Sequence, residues 1–361
     1  TITKKMDGTQ TAAVVIGCVD LSANLKFFKE QLGFHVELVK PADNPSTVVI
    51  SGYGVRLHLS KSADQLPHVL FINCQDPIAM GHGKTTLVAP NGTCVELHSL
   101  TADVVVPPLQ PSLQVRLPSS GAWVVGRAGM RYRDLLPGRY GGRFIASHIN
   151  IAEPGPVADY VHYHRIRFQF IYCRRGWVRV VYEDQGEPFV MNEGDCVLQP
   201  PQIRHRVLES SAQMEVIEMA CPAEHETIAD HTLSLPNLQV LRPDRLFDGQ
   251  RFVRHVAKDA AWKPWHVPNV VVRDTGIASA TNGIVSTQVM RADKAGTVLV
   301  NAAHDKELQL MFVLSGSVTL SALDQTHTIE EDGCFTVPAG VENNVRTLVD
   351  GTEVLCVTSP L

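Results

Sequence analysis

The chain has 361 residues, of which 44% are hydrophobic and 19% charged, with a formal net charge of −5. This length suits two or three domains, and the balance is that of an ordinary globular protein with material for several cores. A mildly acidic chain without a basic tract argues against nucleic-acid and membrane-surface partners, and no apolar run is long enough to cross a bilayer. The eight cysteines are scattered without a CxxC pair, so reduced thiols in a cytoplasmic protein are expected. The chain opens on Thr1, without a charged start and apolar h-region, as expected where an initiator or short leader is missing.

In chain order, Ala12–Cys18 reads as an apolar strand, and Asp20 or Ser22 can cap the helix that follows. That helix, Leu21–Leu32, places Leu21, Leu25, Phe28 and Leu32 on one face and stops at Gly33. Short strands are predicted at Phe34–Val39, Thr47–Ser51, Val55–Ser60 and Val69–Asn73, and the Asn91-Gly92 turn precedes a last strand, Thr93–His98. Four prolines among small polar residues mark 104–120 as a linker. Beyond it, short strands and turns dominate.

The C-terminal part repeats itself. Arg133-Asp134-Leu135 recurs as Arg273-Asp274-Thr275, and His164, Gln169 and Gly176 recur as His304, Gln309 and Gly316, each 140 residues on. Two copies of one β-rich domain follow, at 121–225 and 255–361, joined by an inter-barrel linker at 226–254. The predicted fold is therefore mainly β, with an N-terminal α+β unit over 1–103.

In the first copy, His162-Tyr163-His164 puts two imidazoles on one face of a strand. Gln169 and Gly176 follow, then Gly194, Pro200 and His205, giving HxH(x)4Q(x)6G and G(x)5P(x)4H. The step from His164 to Gln169 is odd, so a bulge or bend must lie between them. This pattern resembles the cupin family, whose motifs read HxH(x)3–4E(x)6G and G(x)5PxG(x)2H. It departs from them in two places, with Gln169 for the acid and Gln202 for the second-turn glycine. The resemblance implies a β-barrel that holds one divalent metal through His162, His164, Gln169 and His205. Imidazole ligands suit iron, zinc, nickel, copper or manganese, and the resemblance favours Fe(II), with Mn, Zn or Ni as alternatives. A shell without a carboxylate should welcome an anionic, chelating substrate.

Other residues could line the pocket. His148 is a candidate acid or base from the preceding strand, against a satisfied core or edge histidine. Cys173 shares the parity of Gln169 but is equally a small buried hydrophobe. Arg204 or Arg206 could meet a substrate carboxylate, or both could be solvated. The second copy has Ala302, His304, Gln309 and Asn343 at the equivalent places, too few ligands for a catalytic ion.

Residues 11–100 are similar to the vicinal oxygen chelate superfamily in their strand–helix–strand order, in Val19-Asp20-Leu21 and Gln31-Leu32-Gly33-Phe34 around the helix, and in Pro90–Leu97. The resemblance implies paired βαβββ modules with metal positions that fall here on Ala13, His58, His68 and Glu96. Ala13 cannot ligate, which leaves His58, His68 and Glu96 as a second possible metal site. The 13 residues between Asp76 and Pro90 are too few for a full second module, so a gating or oligomerising role is the default.

Bicupins include ring-cleaving dioxygenases, and the resemblance implies a non-haem, Fe(II)-favouring dioxygenase that cleaves a C–C bond of an aromatic or β-dicarbonyl substrate. A redox-neutral Mn, Zn or Ni lyase, isomerase or hydrolase is the alternative, and a metabolite sensor without turnover a third. Dioxygen, a small anionic substrate and a homo-oligomer are the expected partners.

Overall fold

The structure, a computed structural model, describes residues 13–41, 45–61, 68–100 and 104–360. The chain divides into two compact units, Thr1–Asp103 and Val104–Leu361.

The first unit carries two small sheets. Strand Val14–Cys18 runs parallel to Val55–Lys61, followed across the sheet by Thr47–Gly52 and His35–Lys40. The start of the predicted first strand, at Ala12, lies outside the described residues. Asp20 caps the helix by accepting from the Ala23 N–H at 2.9 Å. The helix is regular only over Leu21–Lys26 and widens into a π-helical turn at Phe27–Gln31. Adjacent Phe27 and Phe28 in this turn are both buried. The second sheet, Val69–Cys74, Cys94–Ser99 and Thr86–Val88, has only the one-turn helix Pro77–Met80. Buried Asn91 ties the two halves together: its N–H donates to Asn24 Oδ1 and its side-chain amide to the Gly17 carbonyl.

The second unit holds two barrels, each built from facing sheets. In the first barrel, a seven-stranded sheet orders Val253–His255, Cys196–Gln199, Phe168–Arg175, Met214–Cys221, Ile145–Ile151, Arg131–Asp134 and Val124–Val125. Its opposing sheet contains Phe189–Asn192, Trp177–Tyr182, His205–Ser210, His162–His164 and Thr227–Ala229. The second barrel repeats this with Thr352–Pro360 and Lys306–Ser315 at its centre.

Both expected linkers differ from the structure. Gln114–Arg116, from the 104–120 stretch, pairs with Cys334–Thr336 at the edge of the second barrel's sheet. Val253–His255, which ends the 226–254 stretch, pairs with Cys196–Leu198 at the edge of the first. The barrels thus exchange short edge strands, each of which pairs with and covers the edge of the other barrel's sheet. Proline content concealed this, because short edge strands tolerate prolines nearby.

Between the barrels lies an apolar core in which Phe168, Phe170, Ile217 and Met219 meet Leu308, Leu310, Phe312 and Leu355. Polar clamps border it. Buried Glu307 of the second barrel binds Arg143 and Arg167 of the first. Arg174 and Arg175 bind Glu331 and Asp332. Replacing Glu307 with Ala strands two half-buried guanidinium groups and should cost about 3 kcal/mol. A fall in the urea midpoint of barrel unfolding checks this, and an unchanged midpoint would show the clamp to be idle.

Candidate metal centre

The first barrel encloses a cavity of about 60 Å³ lined by His164, Gln169, His205, Gln199, Tyr182 and Glu218 among others, room for on the order of five waters or a small ligand. His162 and His164 project from one face of their short strand, and His162 is register partner to His205 on the next. Ring centroids of His162 lie 5.2 Å from His164 and 4.3 Å from His205. One ligating nitrogen of each falls within 4.8 Å of the other two, as one ion requires.

The backbone fixes which nitrogen faces inward. Nδ1 of His162 lies 2.8 Å from the Tyr160 carbonyl, Nδ1 of His164 lies 3.2 Å from that of Glu226, and Nδ1 of His205 lies 3.0 Å from that of Ile203. A carbonyl can only accept, so each Nδ1 carries the proton and each Nε2 presents a lone pair. Burial lowers the pKa of all three imidazoles, that of His164 to about 3, with Arg127 adding its charge. The rings are therefore neutral and able to ligate. The Nε2 of His162 is buried without a hydrogen-bond partner. An orphaned lone pair aimed at two more imidazoles fits a divalent ion.

Gln169 lies near the histidines but in the other sheet. The chain leaves the short strand at His164 and joins the facing sheet at Phe168, so the odd step is a sheet-to-sheet bend. Gln169 Oε1 accepts from Gln199 Nε2 at 3.0 Å, and Gln199 Oε1 accepts from the Tyr182 hydroxyl at 2.7 Å. Gln199 Nε2 also lies 3.2 Å from His205 Nε2. Glu218 lines the same cavity, on the strand beside that of Gln169. Burial pushes its carboxyl pKa up, against the pull of His225, Arg127 and a hydrogen bond from Gln169.

Sequence reasoning missed Glu218 and Gln199. A signal for Glu218 existed: Glu215 and Glu218 are an odd number of residues apart in one strand, so they cannot both face the same side. Gln199, immediately before the motif proline, carried no such signal.

His148 is elsewhere. It is buried on the opposite face of its strand from cavity-lining Ile149 and Ile151. Its Nδ1 lies 3.0 Å from Arg133 Nη2 and its Nε2 2.9 Å from Glu215 Oε2, with Phe312 of the second barrel against its ring. It belongs to the inter-barrel contact, which corrects the expectation that it lines the pocket. Cys173 is buried in the barrel interior and its thiol is pushed up to about 12, which makes it inert. Arg204 is engaged by Asp230 and the Tyr163 ring. Arg206 borders the cavity, and its Nε is buried without a partner.

His58, His68 and Glu96 are not gathered into a ligand set; among the described residues the only such groups are the three imidazoles and His148 with Glu215 and Asp332. Glu96 pairs instead with His98, its same-face neighbour on the strand. The second barrel has no such group either. His304 spends both nitrogens on backbone, and the Asn343 amide donates to the Ala302 and Val341 carbonyls.

Residues 150–219 match the family model of the cupin domain. This match spans His162, His164, Gln169, His205 and Glu218. No curated protein matches the chain. Among solved structures, protein Ylba from E. coli is similar over 72% of this chain and 95% of its own, at TM-score 0.52 and 10% identity. Salicylate 1,2-dioxygenase from Pseudaminobacter salicylatoxidans is similar over 71% and 86%, at 0.52 and 17%. A variant of Bacillus subtilis oxalate decarboxylase is similar over 72% and 79%, at 0.51 and 12%. The cupin fold follows from these likenesses. No helix among the described residues is long and apolar enough to cross a membrane.

The second cupin motif retains its turn despite Gln202, which takes φ +63° where the second barrel uses Gly340 at +76°. The left-handed conformation costs a side chain about 1 kcal/mol, and Gln202 is exposed. Gln202→Gly should therefore raise stability by up to about 1 kcal/mol; a lower Tm would mean that the side chain contributes more than its strain. His162→Ala removes one of three imidazoles and should abolish stoichiometric metal, measured by elemental analysis. Full metal retention would dismiss this assignment.

Proposed function

We propose that the first cupin barrel is a mononuclear metal enzyme for a small, anionic, chelating substrate, with His162, His164, His205 and Gln169 around the ion. The observation that carries this is the convergence of three neutral imidazoles, one with an orphaned buried Nε2. A bound divalent ion would supply Lewis acidity and, as Fe(II), a means of activating dioxygen. The favoured reaction is dioxygenase cleavage of a C–C bond in an aromatic or β-dicarbonyl compound.

The chain's own groups support this. The three carbonyl clamps orient the rings before any ligand arrives. Met130, Ile149, Ile151, Val178, Val180 and Val216 make most of the wall apolar and limit water. Arg127, held by buried Asp159, and Arg206 border the same cavity and favour a substrate carboxylate or enolate.

One observation favours the redox-neutral alternative, a Mn, Zn or Ni lyase, isomerase or hydrolase. Glu218 is a carboxylate in the cavity, of the kind that proton-transfer chemistry uses.

For Thr1–Asp103, the order strand, helix, three strands supports a vicinal oxygen chelate-like domain with a shortened second module, in a gating or oligomerising role.

Protein purified without oxygen should hold one iron per chain and consume dioxygen with at least one member of a catechol, gentisate and β-diketone panel. One manganese or zinc per chain with no oxygen uptake would transfer the assignment to the redox-neutral class. No metal at all would end both.

A further inference from the structure

The cavity lacks a carboxylate at position 169, where the cupin motif has an acid, yet it is not without one. Glu218 lies on the strand Met214–Cys221, which pairs antiparallel with the strand of Gln169: Gln169 faces Ala220, and Ile171 faces Glu218. The two side chains are diagonal neighbours on the inner face, and both line the cavity with His164 and His205. Gln169 lies beside Glu218 and is itself fixed by Gln199 and, through it, Tyr182. Glu218 does not join the three imidazoles as a mutually close group. Its carboxylate therefore lines the cavity outside that three-imidazole group.

We propose that Glu218 replaces the missing acid: its carboxylate supplies the site's negative charge from outside the ligand shell, with Gln169 as the polar bridge between them. The inference rests on the metal-site reading above. Two independent features agree with it. The wall around Glu218 offers Val216, Ile171 and Ile149, so an unpaired carboxylate there is costly unless a cation compensates it. Of the guanidinium groups on the cavity, Arg127 is bound to Asp159, and Arg206 lies on the strand of His205 in the opposing sheet. A divalent ion at the three imidazoles supplies the compensation.

The test is Mn(II) and Zn(II) titration of the metal-stripped full chain by calorimetry. Glu218→Gln should weaken affinity about tenfold or more, the usual effect of removing an outer-shell partner, while the melting temperature of the stripped protein stays near wild type. Adding Gln169→Glu to Glu218→Gln returns the charge and should restore most of that affinity. Unchanged affinity in Glu218→Gln overturns the proposal, and so does a loss that Gln169→Glu fails to repair. If Glu218→Gln does not fold, Gln169→Glu alone decides. Adjacent carboxylates should then lower the melting temperature of the stripped protein, and metal should raise it by more than in wild type; equal behaviour in both states overturns the proposal. Wild-type protein that binds neither ion instead sinks the metal-site reading, and this inference with it.

Discussion

Three imidazoles with depressed pKa values converge beside one small, largely apolar cavity, and much of the first barrel serves to make that tolerable. A buried ring nitrogen without a partner costs free energy, on the order of 1–3 kcal/mol. Three of the six nitrogens are satisfied by backbone carbonyls at Tyr160, Ile203 and Glu226. Those carbonyls sit at strand ends and in loops, where the ladder leaves them free. One remaining cost is visible at the Nε2 of His162. A divalent ion held by the three imidazoles would remove that cost.

That cost requires a stiff scaffold, and the two barrels provide it together. Each lends an edge strand to the other, and the apolar core between them is closed by the Glu307 and Glu331–Asp332 clamps. The strand Ile145–Ile151 illustrates the division of labour. Ile149 and Ile151 shape the cavity, while His148 on the other face joins Arg133, Glu215 and Phe312 at the junction. The second barrel, with Ala302 and Asn343 in place of imidazoles, retains its apolar interior and acts as a partner for packing.

The histidine set, the repeat and the strand-rich character were legible because they depend on local spacing: HxH projects two rings to one side whatever the tertiary context. Asp20 as cap and Gly33 as stop were legible for the same reason. Three features were not. The direction of His148 depends on which face of its strand meets the second barrel, and parity alone leaves that choice open. The exchanged strands at Gln114–Arg116 and Val253–His255 are too short to have a period. His58, His68 and Glu96 were suggested by position in a motif, but ligation needs convergence in space, which the truncated second sheet does not supply.

Charge narrows the chemistry further. With three neutral imidazoles and a neutral amide, a divalent ion leaves the centre at two positive charges, and an ionised Glu218 would reduce this to one. The Arg127–Asp159 pair is neutral as a unit. In the proposed function a monoanionic chelate, such as an enolate or a single carboxylate with a neighbouring hydroxyl, neutralises the ion's surroundings, and a second carboxylate would neutralise Arg206 on the same cavity. In a wall made mostly of Ile, Val and Met, neutrality of the loaded site is a strong constraint. Substrates without a negative charge would leave a net cation, and among the described residues no carboxylate besides Glu218 lines that cavity to offset it.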